Sequence, residues 1–129
     1  MREWVFRCFL SAHGKDLIDD WIGDLPSRAR ARFLEIVTAL RDQPSDEWGR
    51  PDFAPLHGQC RGLNEIRFDW GGVEYRALGF FGPGRGEFTF VYGAQERGGQ
   101  FKPPDTCKTA QGRKTQAKNH RDRTDVCDF

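Results

Sequence analysis

The stretch from Leu63 to Arg97, LNEIRFDWGGVEYRALGFFGPGRGEFTFVYGAQER, decides the fold. It holds three alternating runs separated by two glycine-marked turns. Over 63–70, Ile66, Phe68 and Trp70 point to one side while Glu65, Arg67 and Asp69 point to the other, the pattern of a half-buried strand. Gly71-Gly72 suits a two-residue hairpin turn. A second strand is expected over 73–81. A third is expected over 87–93, after the turn Gly82-Pro83-Gly84-Arg85-Gly86. Arg67 and Arg76 recur on successive runs and Arg97 follows the third. Guanidinium groups lined up on a sheet are suited to a phosphate backbone.

Upstream, EWVFRCFL (3–10) is apolar and β-prone, and predicts a first strand. Residues 15–25 place Leu17, Ile18, Trp21, Ile22 and Leu25 at helical offsets. Pro26 breaks that run and Ser27 can cap a second helix over 28–41. Its stripe is Ala29, Phe33, Ile36, Val37 and Leu40, and so short a join predicts a helical hairpin. Arg28, Arg30, Arg32 and Arg41 lie off the stripe, as a solvated or partner-facing surface or as an RNA contact. Residues 42–59 carry three prolines and two glycines and read as a long connection. Downstream, Pro103-Pro104 opens a lysine-rich helix over 105–119, and 120–129 reads as a loose, flexible tail. The expected order is β-α-α-β-β-β-α. It is an α+β arrangement in which the hairpin covers one face of a small antiparallel sheet and the other face stays open. One domain over 1–119 is expected.

The bulk numbers bound the class. A chain of 129 residues with 37% hydrophobic residues, eleven Phe and four Trp can bury one core. No apolar run approaches the roughly 18 residues that span a bilayer, and the first residues do not read as a signal peptide. A cytoplasmic protein without a membrane partner is expected. Cys8, Cys60, Cys107 and Cys127 are widely spaced with no close pair, which argues against a tetrahedral zinc site and for free thiols. The net charge of +1 hides an asymmetry: the formal charge is −2 over 1–60, zero over 61–101 and +3 over 102–129. Contact with a polyanion therefore depends on local placement.

No Walker loop or GxSxG elbow is present, and His13, His57 and His120 are scattered. Metal-independent RNA cleavage stays open. The ribose 2′-OH is the nucleophile; it needs a base, an acid for the leaving oxygen and cations for the charge that develops. Arg67, Arg76 and Arg97 are candidates for the cations. Glu65 and Glu96 serve as base or as salt-bridge partners, and Tyr92 stacks on a base, donates a proton or packs in the sheet. Arg61, Lys102, Lys108 and Arg113 are candidate RNA-binding residues. On residues alone, Arg76 is as good a cross-strand partner for Glu65 or Asp69 as it is a phosphate ligand.

The segment LHGQCRGLNEIRFDWGGVEYRALGFF resembles the central part of the RelE/ParE toxin superfamily, in its phage Gp49-like, HigB-type branch. The matching elements are Leu56–Gly58, Gly62–Arg67 and Tyr75–Arg76, followed by FTFVYGAQER and FKPPDTCKTAQGRK. The likeness runs over about 4–119. It implies a RelE-like fold and the toxin of a type II toxin–antitoxin pair, cleaving mRNA on the ribosome with neither metal nor organic cofactor. It also implies a helix-turn-helix antitoxin as partner. Arg67 and Arg76 match the sheet arginines of that branch, and Arg97 one of its basic pair. Arg76→Ala is expected to remove most cleavage, roughly 3–4 kcal/mol of transition-state stabilisation. Glu96 stands where the branch has lysine, which weakens backbone contacts. The alternatives are a ParE-like gyrase inhibitor without enzymatic activity and a degenerate phage-derived protein without catalysis.

Overall fold

The structure, a computed structural model, describes residues 3–129. Its elements are β1 (Val5–Phe9), α1 (Leu17–Gly23), α2 (Ser27–Arg41), β2 (Phe53–Pro55), β3 (Asn64–Trp70), β4 (Val73–Phe81), β5 (Glu87–Arg97), β6 (Gln100–Lys102), α3 (Thr106–Asn119) and β7 (Thr124–Val126). The mixed α+β class is as expected, but the order is not β-α-α-β-β-β-α. Three short strands, β2, β6 and β7, are added. Each is three residues long and holds its place only by pairing with a longer neighbour, so none carries a readable alternation of its own.

The seven strands run in the order β2-β3-β4-β5-β1-β7, with β6 paired to the far end of β5. β1 lies parallel to β5, and the other pairings are antiparallel. Gly71 and Gly72 both take positive φ, 61° and 81°, as the tight β3–β4 turn requires. Trp70 pairs with Val73 across it. β5 runs four residues past its expected end because β6 folds back on it.

The helical hairpin forms as its periodicity dictates. The Asp16 side chain caps α1, accepting from the Ile18 and Asp19 amides at 3.1 and 2.8 Å. All five stripe residues of α2 are buried. They pack on the face of the sheet that carries Phe68 and Phe90, with Phe33 5.3 and 5.6 Å from those rings. Removing a buried ring of this kind costs about 3–5 kcal/mol. Gly93 faces Trp21 so closely that a Cβ there collides with the indole. The off-stripe arginines have structural partners. Arg30 donates to the Ile22, Gly23 and Leu25 carbonyls at the end of α1, and Arg32 pairs with Asp52 and Glu35.

Three expectations are corrected. The opposite face of the sheet is not left open, because α3 crosses it, with Ala110 and Ala117 buried and Lys114 over the Phe80 ring. The cysteines are not free thiols: Cys8 is bonded to Cys127 and Cys60 to Cys107, with Cα separations of 5.2 and 4.9 Å. The fold brings these pairs together across 119 and 47 residues, a proximity that spacing cannot reveal. Residues 120–129 are not a loose tail either. β7 pairs with β1, the Phe129 ring packs on Phe33 and Phe90, and Arg41 donates to the Phe129 carbonyl at 2.9 Å. No helix among the described residues is long and apolar enough to cross a membrane.

Candidate functional site

Strand register decides which of the sequence candidates meet. Arg67 lies directly opposite Arg76, Asp69 opposite Glu74, and Glu74 in turn opposite Glu96. Side chains on directly opposed residues share a face, so the two arginines point the same way, onto the side that α3 crosses. Ala94 sits opposite Arg76 on the next strand, and its small side chain leaves room for the guanidinium.

Arg76 is 1% exposed, yet it is ringed by acids. Its Nε donates to Glu96 at 2.9 Å and its Nη1 to Asp69 at 3.2 Å and to the Tyr75 carbonyl at 2.8 Å. Glu74 lies 3.4 Å from Nη2 and Glu65 3.8 Å from Nε. Of the two roles open to Arg76 from sequence, cross-strand pairing is the one the geometry adopts. Burial works against its charge, but the hydrogen bonds to Asp69 and Glu96 and the nearby carboxylates outweigh it and hold its pKa above the ordinary value. The guanidinium is thus saturated and has little left to offer a phosphate.

Arg67 is more available. Its side chain is 24% exposed and donates Nη1 to Glu65 Oε2 at 2.6 Å. Glu65 is 3% exposed, and its second oxygen, Oε1, has no hydrogen-bond partner. Burial pushes the Glu65 pKa up. Arg67 and Arg76 pull it back only in part, and Glu96 adds to the rise. Glu65, Arg67 and Glu96 line a cavity of about 180 Å³, closed on its other side by Leu56, Gly99 and Phe101. Glu65, Asp69, Glu74 and Glu96 together set four carboxylates against the two arginines, a formal charge of −2. They converge on a guanidinium, and among the described residues no group of three or more His, Cys, Asp or Glu could hold a metal ion.

The remaining candidates do not join this cluster. Arg97 is exposed at the end of β5, paired with Gln100, and strand alternation turns it away from Glu96 and Arg76. Tyr92 shares the face but lies half-buried under Arg113, whose guanidinium sits 5.0 Å from its ring. Burial pushes the Tyr92 hydroxyl pKa up, and the ring is no open stacking platform. Arg61 and Lys102 are exposed, on the loop before β3 and on β6. Lys108 and Arg113 belong to a separate cleft beside α3. Sequence reasoning named Asp69 as a cross-strand partner of Arg76, as the structure has it, but missed Glu74, which strand alternation places on the same face. It also missed Arg123, which lies in the supposed tail.

Compared with known proteins, residues 20–115 match the family model described as phage-derived protein Gp49-like (DUF891). No curated protein matches the chain. The match covers well over half of the sequence and contains the whole Arg76 cluster; the chain belongs to the Gp49-like family of phage-derived proteins.

Proposed function

We propose that this chain is the toxin of a type II toxin–antitoxin pair, a RelE-like protein of HigB type that cleaves mRNA on the ribosome without a metal or organic cofactor. The observation that carries this reading is Glu65: a carboxylate with a raised pKa, one oxygen buried without a donor, beside a partly exposed arginine. A buried acceptor left unpaired costs about 1–3 kcal/mol; Oε1 lies 3.8 Å from the Arg76 Nε, beyond hydrogen-bond distance, and a ribose hydroxyl that reaches it from the cavity supplies the missing donor. Glu65 Oε1 accepts the 2′-OH proton and the 2′-oxygen bonds to phosphorus. The P–O5′ bond breaks, leaving a cyclic phosphate, and the 5′-oxygen takes its proton from water. Arg67 neutralises the charge on the phosphoryl oxygens. Arg76 acts one step back, holding Glu65 and Glu96 in place. Arg61 and Lys102 contact the RNA backbone, and a helix-turn-helix antitoxin covers the toxin.

The charge of −2 around Arg76 supports a second reading, a protein that binds a partner and cleaves nothing, because excess carboxylates repel an approaching phosphate. Induction of the chain in cells, with mapping of transcript 5′ ends, separates the two. New ends inside translated messages are expected, and Arg67→Ala is expected to reduce them by about 10²–10³-fold. Growth arrest with no new 5′ ends, or cleavage undiminished by both Arg67→Ala and Glu65→Gln, would overturn the nuclease reading. A supercoiling assay then asks whether gyrase is the partner.

A further inference from the structure

A second basic group lies on the same side of the sheet, beside α3. Arg113 from α3 and Arg123 from the turn after it both stand over the Phe9 ring, 5.3 and 5.0 Å from its centroid. Arg113 donates Nη1 to the Val91 carbonyl at 2.9 Å, and Arg123 donates Nε to the Leu10 carbonyl at 3.2 Å. Among the described residues, neither has a carboxylate at ion-pair distance. Two guanidinium groups on one ring repel each other, and among the described residues no carboxylate stands between them at ion-pair distance. Burial lowers the pKa of Arg113, and Arg123 lowers it further against the opposing pull of Tyr92.

The arginines open onto a cleft of about 540 Å³, the size of a small-ligand site. Lys108 lines it as a third cation, and Asp105 is its single acid, so the formal charge is +2. A second observation is independent of charge. Gly112 lies inside α3 and lines the cleft, yet a Cβ built on it meets nothing within 4 Å. Packing does not require glycine there, and glycine weakens a helix interior. Without a side chain, the helix backbone at Gly112 stays open to close approach from the cleft.

We propose that this cleft binds a phosphate group borne on a nucleotide, free or within a strand. A phosphate monoester brings up to two charges and three free oxygens to three cations from two segments, and a strand brings one charge at each of its successive diesters, whereas a single carboxylate leaves most of that charge unanswered. The hydroxyls of Ser11 and Thr109 on the walls serve the sugar. The site shares no lining residue with the Glu65 cavity, so its occupation does not depend on cleavage.

NMR titration of the whole chain with AMP, adenosine, a short single-stranded RNA and an oligoglutamate peptide tests the proposal. AMP is expected to saturate the cleft and adenosine to bind at least about tenfold more weakly. Arg123→Gln is expected to cost AMP about tenfold, the worth of one charge-assisted contact. Lys108→Gln, at an exposed position that does not bear on folding, is expected to weaken it in the same direction. RNA that binds more tightly than AMP, and loses that advantage in Arg123→Gln, assigns the phosphate to a strand; equal affinities assign it to a small molecule. Equal binding of AMP and adenosine, no saturation at millimolar AMP, tighter binding of the peptide, or AMP affinity unchanged in both variants would overturn it.

Discussion

The cluster around Arg76 and the cleft around Arg113 and Arg123 lie on the same side of one sheet and treat the same kind of side chain in opposite ways. Arg76 is fully enclosed and meets four carboxylates. Arg113 and Arg123 meet none, and spend one hydrogen bond each on a backbone carbonyl. An enclosed guanidinium without acids would be prohibitively costly, and the strands around it supply them, from buried Glu65 to largely exposed Asp69. A guanidinium at a cleft wall keeps water on one side and tolerates being unpaired. The first arrangement holds three strands together. The second leaves positive charge free for a ligand. Arginine count is therefore a poor guide to where a polyanion binds; the number of carboxylates already in contact is a better one.

The largest effect that tests this contrast is on stability. Arg76→Ala leaves Asp69, Glu74 and Glu96 without a cation and is expected to cost roughly 3–5 kcal/mol, whereas Arg123→Ala is expected to cost no more than about 1 kcal/mol. Urea unfolding of both variants reads the difference, and equal midpoints would erase the distinction between a saturated and an unsaturated arginine. A consequence is that lost cleavage in Arg76→Ala, expected from sequence as a catalytic effect, reports unfolding as readily as chemistry. Arg67, partly exposed, is the cleaner probe.

A middle-sized effect concerns the covalent frame of the second region. The Cys8–Cys127 bond fastens the C-terminal segment that carries Arg123 to β1. Replacing both cysteines by serine is expected to lower stability by roughly 2–4 kcal/mol. The same change should weaken AMP binding while leaving β3–β4 amide protection intact, because among the described residues no ion pair joins the Arg76 cluster to that segment. Hydrogen exchange together with titration checks both halves. Uniform loss of protection would mean that the two regions are one cooperative unit.

The smallest effect has the opposite sign. Gly112→Ala is expected to stabilise α3 by about 0.5–1 kcal/mol, since a Cβ there meets nothing, while weakening AMP binding. A variant that is more stable and binds AMP as well as the parent would remove the helix glycine from the argument for a ligand.

Much of this architecture could be read from the chain. The alternation of Ile66 and Phe68 with Glu65, Arg67 and Asp69, the Gly71-Gly72 turn, and the stripe of Ala29, Phe33, Ile36, Val37 and Leu40 all appear in place. Each is a pattern of period two or 3.6, or a turn that demands positive φ, complete within a few residues. The strand alternation also put Arg67 and Arg76 on one face. It did not say how many acids would surround them, since Asp69, Glu74 and Glu96 reach Arg76 from three strands at once.

What lay beyond reading depends on contacts between distant segments. The disulfide partners are far apart in the chain. β7 exists only because β1 offers it an edge. Arg113 and Arg123 become a pair only because Phe9, from the first strand, lies beneath both. Backbone periodicity and turn chemistry are local energies, settled before the chain closes on itself. Whether a buried charge is answered or left free is settled by packing, through neighbours that no spacing rule foretells.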